Sequence, residues 1–222
     1  MSEIKIYAQH SDFVVINKPA GLSVHGDQGD AVIHILQQQL NSDVYPCHRL
    51  DKNTSGLLLI ALNAGSAAEL SQLFFKKAVQ KYYLGVVTSR PSKSQGKVIG
   101  DLQKSRNGCY KLLRTKNNPS ITCFFSRGLT PGYRAMLFKP MTGRTHQLRV
   151  VAKSLAAPLL GDRRYGGAEA DRMYLHAYYL AFEYQGELFQ YSLPPDHGEY
   201  FDHFFQSEDD PWLLPQLLPW SV

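Results

Sequence analysis

The sequence is poor in cysteine and has no long apolar stretch. Its 222 residues include three widely spaced cysteines, Cys47, Cys109 and Cys123, and no CxxC pair. This spacing argues against a thiolate zinc site and against a framework of disulfide bonds. The longest apolar runs, such as residues 57–62, are far too short to span a bilayer. The N-terminus lacks the apolar core of a signal peptide, so we expect a cytoplasmic protein without a membrane partner.

Several signatures of cofactor chemistry are also missing. The sequence contains no phosphate-cradling P-loop, no dinucleotide fingerprint and no HExxH or comparable histidine spacing. Nothing therefore points to nucleoside triphosphates, NAD or a bound metal. Hydrophobic residues make up 44% of the chain and charged residues 19%, which is the composition of a folded protein rather than a disordered one.

Positive charge is absent from the C-terminal part and concentrated in the middle. Between Lys76 and Lys116 there are eleven lysines or arginines and one acid, Asp101, whereas no lysine or arginine follows Arg172. Eight acids lie from Glu183 onward, although the net charge of the chain is +5. Such asymmetry favours one face that binds a polyanion such as nucleic acid. The alternative is an ordinary solvated surface, because charge alone does not define a partner.

The pattern of apolar residues predicts an α+β fold with a mainly antiparallel sheet. Strands are expected at residues 4–7, 13–17, 57–62, 79–88, 121–126, 133–138, 174–184 and 187–191. Helices are expected from Asp30, as N-cap, through Leu40, over residues 64–75, and from a Thr142 cap to about Leu155. The aromatic and acidic tail after residue 195 either packs on the rest of the chain or contacts a partner, and we favour packing.

The densest polar cluster runs from His48 to Gly56, just before the buried apolar run. Asp51 lies there among His48, Arg49 and Lys52, whose positive charges favour an ionised carboxylate. A carboxylate held in that state can act as a nucleophile or a base. The alternative is an ion-paired turn before a strand, because structural pairs perturb carboxylates as well.

A second cluster extends from Pro140 to Arg149. A helix that starts near Gly143 would offer free N–H groups to an anion and would place His146 and Arg149 on one face. Arg149 could then form a charge-assisted pair with Asp51. The alternative is a phosphate-facing helix end that positions a ligand without doing chemistry.

A third group of residues, Lys81-Tyr82-Tyr83, lies on a predicted strand. Successive strand residues face opposite sides, so one tyrosine can stack on an extruded base, although a core tyrosine is an equal alternative. We interpret Asp162, with Arg163 and Arg164, as part of a surface loop.

Taken in order, these clusters resemble the pseudouridine synthases of the RluA type, which act on large-subunit ribosomal RNA and tRNA. The resemblance spans residues 4–194. It is carried by VINKPAGLSVH at 15–25, HRLD at 48–51 with TSG at 54–56, KYYL at 81–84, TGRTHQLR at 142–149, LGD at 160–162, YG at 165–166 and LHA at 175–177.

The resemblance implies a fold, an activity and a set of roles. The fold is a mixed, mainly antiparallel sheet with helices and loops around a cleft, and the catalytic domain covers residues 1–195 with a tail at 196–222. Asp51 is the implied nucleophile, Tyr83 packs against the target base, and Arg149 pairs with Asp51. Arg49 moves when the base is extruded. Further RNA contacts are expected from His48, Thr54, Lys81, Arg144 and His146.

The same resemblance implies partners and absences. The substrate is a uridine in structured RNA, no metal or organic cofactor takes part, and the protein is a monomer. Many relatives carry a small S4-like RNA-binding domain before the catalytic one. We expect that domain to be absent, because the first predicted strand begins almost at Met1.

Three rival functions fit the residues less well. A non-catalytic RNA-binding module explains the charge but not the surroundings of Asp51. A hydrolase of glycosidic bonds requires a second carboxylate in the site, and none of the clusters supplies one near Asp51. A small-molecule isomerase leaves the basic middle segment without a purpose.

Overall fold

The computed structural model describes residues 3–26 and 31–220. Contacts divide the chain into two compact units, one of Met1–Lys81 with His176–Pro194 and the other of Tyr82–Leu175 with Pro195–Val222. Among the described residues no helix is long and apolar enough to cross a membrane.

Three α-helices and twelve β-strands make up the described part of the chain. The helices are α1 (Val32–Leu40), α2 (Ala64–Phe75) and α3 (Gln147–Ser154). The strands are β1 (Lys5–Gln9), β2 (Phe13–Lys18), β3 (Tyr45–Pro46), β4 (Ser55–Ala61), β5 (Gln80–Val87), β6 (Gln95–Gly100), β7 (Leu102–Lys104), β8 (Tyr110–Leu112), β9 (Ser120–Gly128), β10 (Arg134–Pro140), β11 (Leu175–Tyr184) and β12 (Glu187–Ser192).

The first unit is built on strands in the order β1-β2-β4-β11-β12, with β3 also paired to β4. All of these pairs are antiparallel except β4 with β11, which run parallel through Ser55 and Gly56. Strands β2 and β4 are buried along their whole lengths, and most of their side chains are apolar. Leu70 of α2 joins the same core, so the helix covers one face of this sheet.

The second unit contains the antiparallel order β5-β10-β9-β6 and a separate hairpin of β7 with β8. Helix α3 packs on this sheet through Leu148 and Val151, and Leu155, which follows its last residue, joins the same apolar cluster. After α3 the chain returns to the end of β5, where Leu159 forms an isolated β-bridge with Val87.

The C-terminal tail packs within the second unit. Phe204 and Trp212 are buried, and Arg127 of β9 lies over the Trp212 ring at 4.0 Å. The Arg127 guanidinium also donates hydrogen bonds to both carboxylate oxygens of Asp210. The tail therefore contributes the buried carboxylate of an ion pair to this unit, while its Leu214 and Leu217 remain exposed.

The predicted fold class is confirmed, including the mixed and mainly antiparallel sheet. Helix α2 has the predicted bounds, and strands β9 and β10 flank the predicted turn at Pro131 and Gly132. The body of α1 is also confirmed, whereas its predicted N-cap, Asp30, lies outside the described residues.

The third predicted helix is wrong at its start. Helix α3 begins at Gln147 rather than near Gly143, because His146 adopts a left-handed conformation with φ of 56°. The Thr142 hydroxyl does not cap a helix; it accepts the Ile121 N–H and donates to Gln147 Oε1. The predicted first turn of free N–H groups is therefore not formed at residues 143–146.

Candidate active site

The Asp51 loop, residues 48–54, enters β4 and is fixed at its backbone. Asp51 is half-buried, and its carbonyl accepts the Thr54 N–H at 3.0 Å, which closes a turn. The carbonyl of Lys52 accepts the Gly21 N–H at 2.9 Å and the Lys18 Nζ at 3.0 Å. Two hydrogen bonds, one from the last residue of β2 and one from the segment after it, thus hold the residue next to Asp51.

Lys18 is the residue in this site that the sequence analysis missed. It is fully buried, and its ammonium group donates to the carbonyls of Pro19 (2.8 Å) and Leu22 (2.7 Å) as well as Lys52. A buried ammonium is tolerated only when its donors are satisfied, and three carbonyl oxygens meet that demand here. Lys18 therefore joins two loops whose sequences are more than thirty residues apart.

Replacement of Lys18 by methionine should destabilise the Asp51 loop. The apolar stem keeps its volume, but three carbonyl groups lose the ammonium donor, and within the described part of the chain only that of Lys52 keeps a second donor, the Gly21 N–H. A buried group without a partner costs about 1–3 kcal/mol. We expect the free energy of unfolding to fall by roughly 2–4 kcal/mol in denaturant titrations. Lys5→Met, at an exposed position in β1, is the control and should lose almost nothing. Equal stability of the two variants would contradict the role of Lys18 in holding the two loops together.

The other end of the loop is held by His176 of β11. This side chain is fully buried, with Nδ1 2.8 Å from the Ser55 hydroxyl and Nε2 2.8 Å from the Leu193 carbonyl. Since a carbonyl only accepts, Nε2 carries the proton and Nδ1 accepts from Ser55. Gly56 follows with φ of +107°, and a Cβ there would lie 2.3 Å from the Ala177 carbonyl oxygen. Strand β4 can therefore approach β11 only with glycine at this position.

The side chain of His48 makes its contacts within the first unit. Its Nε2 accepts the Leu59 N–H at 3.0 Å, and its ring stacks on Phe74 with centroids 4.3 Å apart. The Lys81 ammonium lies 5.3 Å from the same Phe74 ring. Burial, followed by the charge of Lys81, lowers the pKa of His48 to about 3, and burial lowers the pKa of Lys81 to about 8. His48 is thus a neutral acceptor that anchors the loop.

The neutral state of half-buried His48 predicts a specific pH dependence of stability. Between the ordinary histidine pKa and about 3 the unfolded chain takes up a proton that the folded chain does not. The contribution of neutral His48 to the free energy of unfolding is therefore complete above a pH of about 6.5. It falls as the pH decreases, by at most about 1.4 kcal/mol per pH unit.

The measurement is the difference in unfolding free energy between the wild type and His48→Gln, taken across pH. Glutamine keeps an acceptor but does not titrate, so the difference should be flat near neutrality and should decrease below it. A difference that does not vary with pH would show that His48 is not held neutral.

Two other predicted residues of this unit differ in exposure. Arg49 is exposed and makes no hydrogen bond or ion pair with any residue in ranges 3–26 and 31–220. Thr54 is buried at 2% exposure, so its contribution is to the turn at Asp51.

In the second unit the two strand tyrosines of β5 occupy different surroundings, as the alternation predicts. Tyr82 is buried beside Trp220, with ring centroids 5.5 Å apart. Tyr83 is half-buried and packs against the cluster that contains Phe138 and Leu148. Tyr83 thus keeps an accessible part, while Tyr82 is a core residue.

Arg149 forms a buried, bidentate ion pair with Asp162. Its Nε and Nη2 each lie 2.7 Å from a carboxylate oxygen of Asp162, and the two residues are 7% and 2% exposed. The Tyr165 ring lies 4.8 Å from the guanidinium carbon. The interpretation of Asp162 as a surface-loop residue is therefore wrong, although Arg163 and Arg164 are exposed. Asp162 is buried because the turn at 160–167 brings its carboxylate back to α3.

Gln147, also missed from sequence, organises the turn before α3. It is 4% exposed, and its amide oxygen accepts from the Thr142 hydroxyl and the Arg144 N–H. Its amide nitrogen donates to the Ile121 carbonyl and the Thr122 hydroxyl. This turn exposes the Arg144 side chain, which donates to Asn118, and it places His146 Nδ1 2.8 Å from the Tyr165 hydroxyl.

The structure thus brings Arg149, Asp162, Tyr165 and His146 together in the second unit, and Asp51, Lys18 and His48 belong to the first. Within the described ranges no group of three or more His, Cys, Asp or Glu side chains is arranged to hold a metal ion.

Known proteins of similar sequence and structure share one activity in their names. The sequence profile described as RNA pseudouridylate synthase matches residues 12–154. "Uncharacterized RNA pseudouridine synthase" of Haemophilus influenzae is 47% identical over 203 residues, which make up 90% of this chain and 91% of that protein. "Ribosomal large subunit pseudouridine synthase C" of Rickettsia bellii is 38% identical over 79% of this chain, which spans only 62% of that longer protein.

A solved structure gives the same result. "Human RNA Pseudouridylate Synthase Domain Containing 1" superposes with a TM-score of 0.80 at 26% identity, covering 99% of this chain and 97% of the human one. The profile covers more than half of the chain, which confirms the resemblance noted from the motifs. The chain belongs to the RNA pseudouridylate synthase family.

Proposed function

We propose that this chain isomerises specific uridines to pseudouridine in a structured RNA, with Asp51 as the nucleophile and without a metal or organic cofactor. The observation that carries the proposal is the fixed loop around Asp51. Lys18, Gly21 and Thr54 hold its backbone, while the Asp51 carboxylate lies on a half-buried side chain. A preorganised carboxylate is what a nucleophile on a sugar or a base requires.

The reaction breaks the C1′–N1 bond of the uridine and joins C1′ to C5 of the same uracil. C5 releases its proton and N1, no longer bonded to the sugar, takes one up, so atoms balance without a redox partner or an added group. The routes available to Asp51 are attack at C1′, attack at C6 and action on the sugar. In each route the detached base must be retained, and a closed pocket does this better than open solvent.

Further roles follow from the family motifs. Tyr83 packs against the target uracil, and its half-buried ring suits that task. Arg149 takes the role that its place in the family motif implies, and its bidentate pair with Asp162 fixes the orientation of the guanidinium. Exposed Arg49 is free to move when the base is extruded.

Substrate binding is assigned to exposed basic residues. Arg144 and the basic segment from Lys76 to Lys116 contact phosphates, with His146 and Lys81 next to the site. The target is a uridine in a loop or stem-loop of large-subunit ribosomal RNA or tRNA, because extrusion of a base costs least where it is already unstacked.

Tritium release tests the proposal. RNA transcripts labelled with tritium at C5 of uridine lose the label to water when C5 bonds to C1′. Incubation of the purified chain with labelled ribosomal RNA and tRNA transcripts should release tritium from a fixed small number of sites. Stable RNA binding without any release would favour the non-catalytic RNA-binding module.

A further inference from the structure

A pocket opens in the second unit, beside the hairpin of β7 and β8. Its volume is about 260 Å³, and none of the residues Asp51, Tyr83 and Arg149 lines it. Drug-sized ligands occupy pockets of about 300–1,000 Å³, so this smaller one suits a single flat ring system. Of the residues with a proposed role in the RNA complex, Arg144 is part of its lining.

The aromatic wall of the pocket is Tyr110, which is firmly positioned. Its backbone N–H donates to the Tyr165 hydroxyl at 2.9 Å, and its ring meets the His146 ring edge-on at 5.6 Å. Arg164 donates hydrogen bonds to the carbonyls of Asn107 and Gly108, which joins the loop of the hairpin to the turn that contains Tyr165. Tyr110 is half-buried, which leaves part of its ring available for stacking.

The polar residues of the lining are held in place by hydrogen bonds to one another. The Asp101 carboxylate accepts the N–H groups of Asn117 (3.0 Å) and Asn118 (2.8 Å), and Arg144 donates to the Asn118 side chain. The side-chain amide of Asn117 is exposed and forms no hydrogen bond to any residue that the structure describes. A carboxylate and a free amide present both acceptors and donors to a ligand edge.

The surroundings of the pocket are strongly basic. Exposed cations flank it on the hairpin and on the segment that follows: Lys104, Arg106, Lys111, Arg114 and Lys116. An aromatic ring, an amide edge and an arginine inside a cationic surface are the features by which proteins hold an unpaired nucleotide. A neutral metabolite would gain nothing from that charge.

We propose that this pocket is a second nucleotide site, which binds one unpaired base of the substrate RNA other than the target uridine. The base stacks on Tyr110, its edge meets Asn117 and Asp101, and a phosphate contacts Arg144. The proposal rests on the proposed function, because it takes RNA as the substrate. The pocket selects which RNA is modified, and Tyr165 links its Tyr110 wall to Arg149.

Two variants and one control test the pocket by kinetics. Tyr110→Leu and Asn117→Ala should each raise KM for the labelled RNA, by about tenfold for the tyrosine, and should leave kcat within about twofold. Gln103→Ala, in the same hairpin but outside the lining, should behave as the wild type. Asn117 is exposed, so its variant keeps the test usable if Tyr110→Leu is unstable.

Photo-cross-linking tests the pocket without requiring turnover. The Asp51→Asn chain is irradiated with bound ribosomal RNA and tRNA transcripts, and cross-linked peptides are identified by mass spectrometry. A nucleotide attached to Tyr110 supports the site. If RNA is bound without a cross-link at Tyr110, and the KM values are unchanged, the second nucleotide site is overturned and the proposed function is left intact. Absence of tritium release by the wild type would instead count against the proposed function.

Discussion

Asp51→Asn should abolish tritium release while the protein still folds and binds RNA. Asparagine has nearly the volume of aspartate, and the carbonyls of residues 51 and 52 keep the hydrogen bonds that they accept. The neutral amide cannot act as the nucleophile, so we expect turnover to fall by on the order of 10⁴-fold or more.

The control for this variant is Asp43→Asn, which removes the same charge from an exposed position in the same unit. It should retain full activity and should melt as the wild type does. Substantial release by Asp51→Asn would assign the nucleophile to another residue. A loss of folding or of RNA binding would mean that the carboxylate is needed for structure.

Asp162→Ala should have the largest effect on stability. It leaves Arg149 as a buried charge without its bidentate partner, and such a change costs about 3–5 kcal/mol. Activity should be lost as well, since the guanidinium is no longer held in place. Denaturant unfolding of the variant and the wild type gives the stability difference, and the same samples are assayed for tritium release.

A double variant separates structure from catalysis in this pair. Arg149→Met with Asp162→Leu removes both charges, and such apolar replacement of a buried pair is often neutral or stabilising. We expect unfolding free energy to return to near the wild-type value while activity stays absent. Recovery of activity would limit Arg149 to a structural role, and a loss below about 1 kcal/mol in Asp162→Ala would show that the pair is not buried in solution.

The local parts of the fold were predictable from sequence. Helix α2 and strand β4 were predicted because their apolar residues follow one helical face and one continuous buried run. The Asp51 cluster was found from its mixture of charges with turn-forming residues, and the family motifs then suggested its role.

The features that were missed depend on partners distant in sequence or on unusual backbone geometry. A lysine in a sequence indicates exposure, and nothing near Lys18 signals that its ammonium is satisfied by carbonyls as far away as Lys52. Asp162 is adjacent to two exposed arginines but pairs with Arg149, thirteen positions earlier. The late start of α3 follows from the left-handed His146, which a Thr-Gly pair at 142–143 does not reveal.

Chemical mapping of pseudouridine tests the central claim most directly. Unmodified ribosomal RNA and tRNA are incubated with the wild-type chain or with Asp51→Asn, and pseudouridines are located by a reagent that marks them for reverse transcription. The account predicts new pseudouridines at defined, unpaired positions with the wild type and none with Asp51→Asn. RNA that is bound by the wild-type chain yet gains no pseudouridine would contradict it.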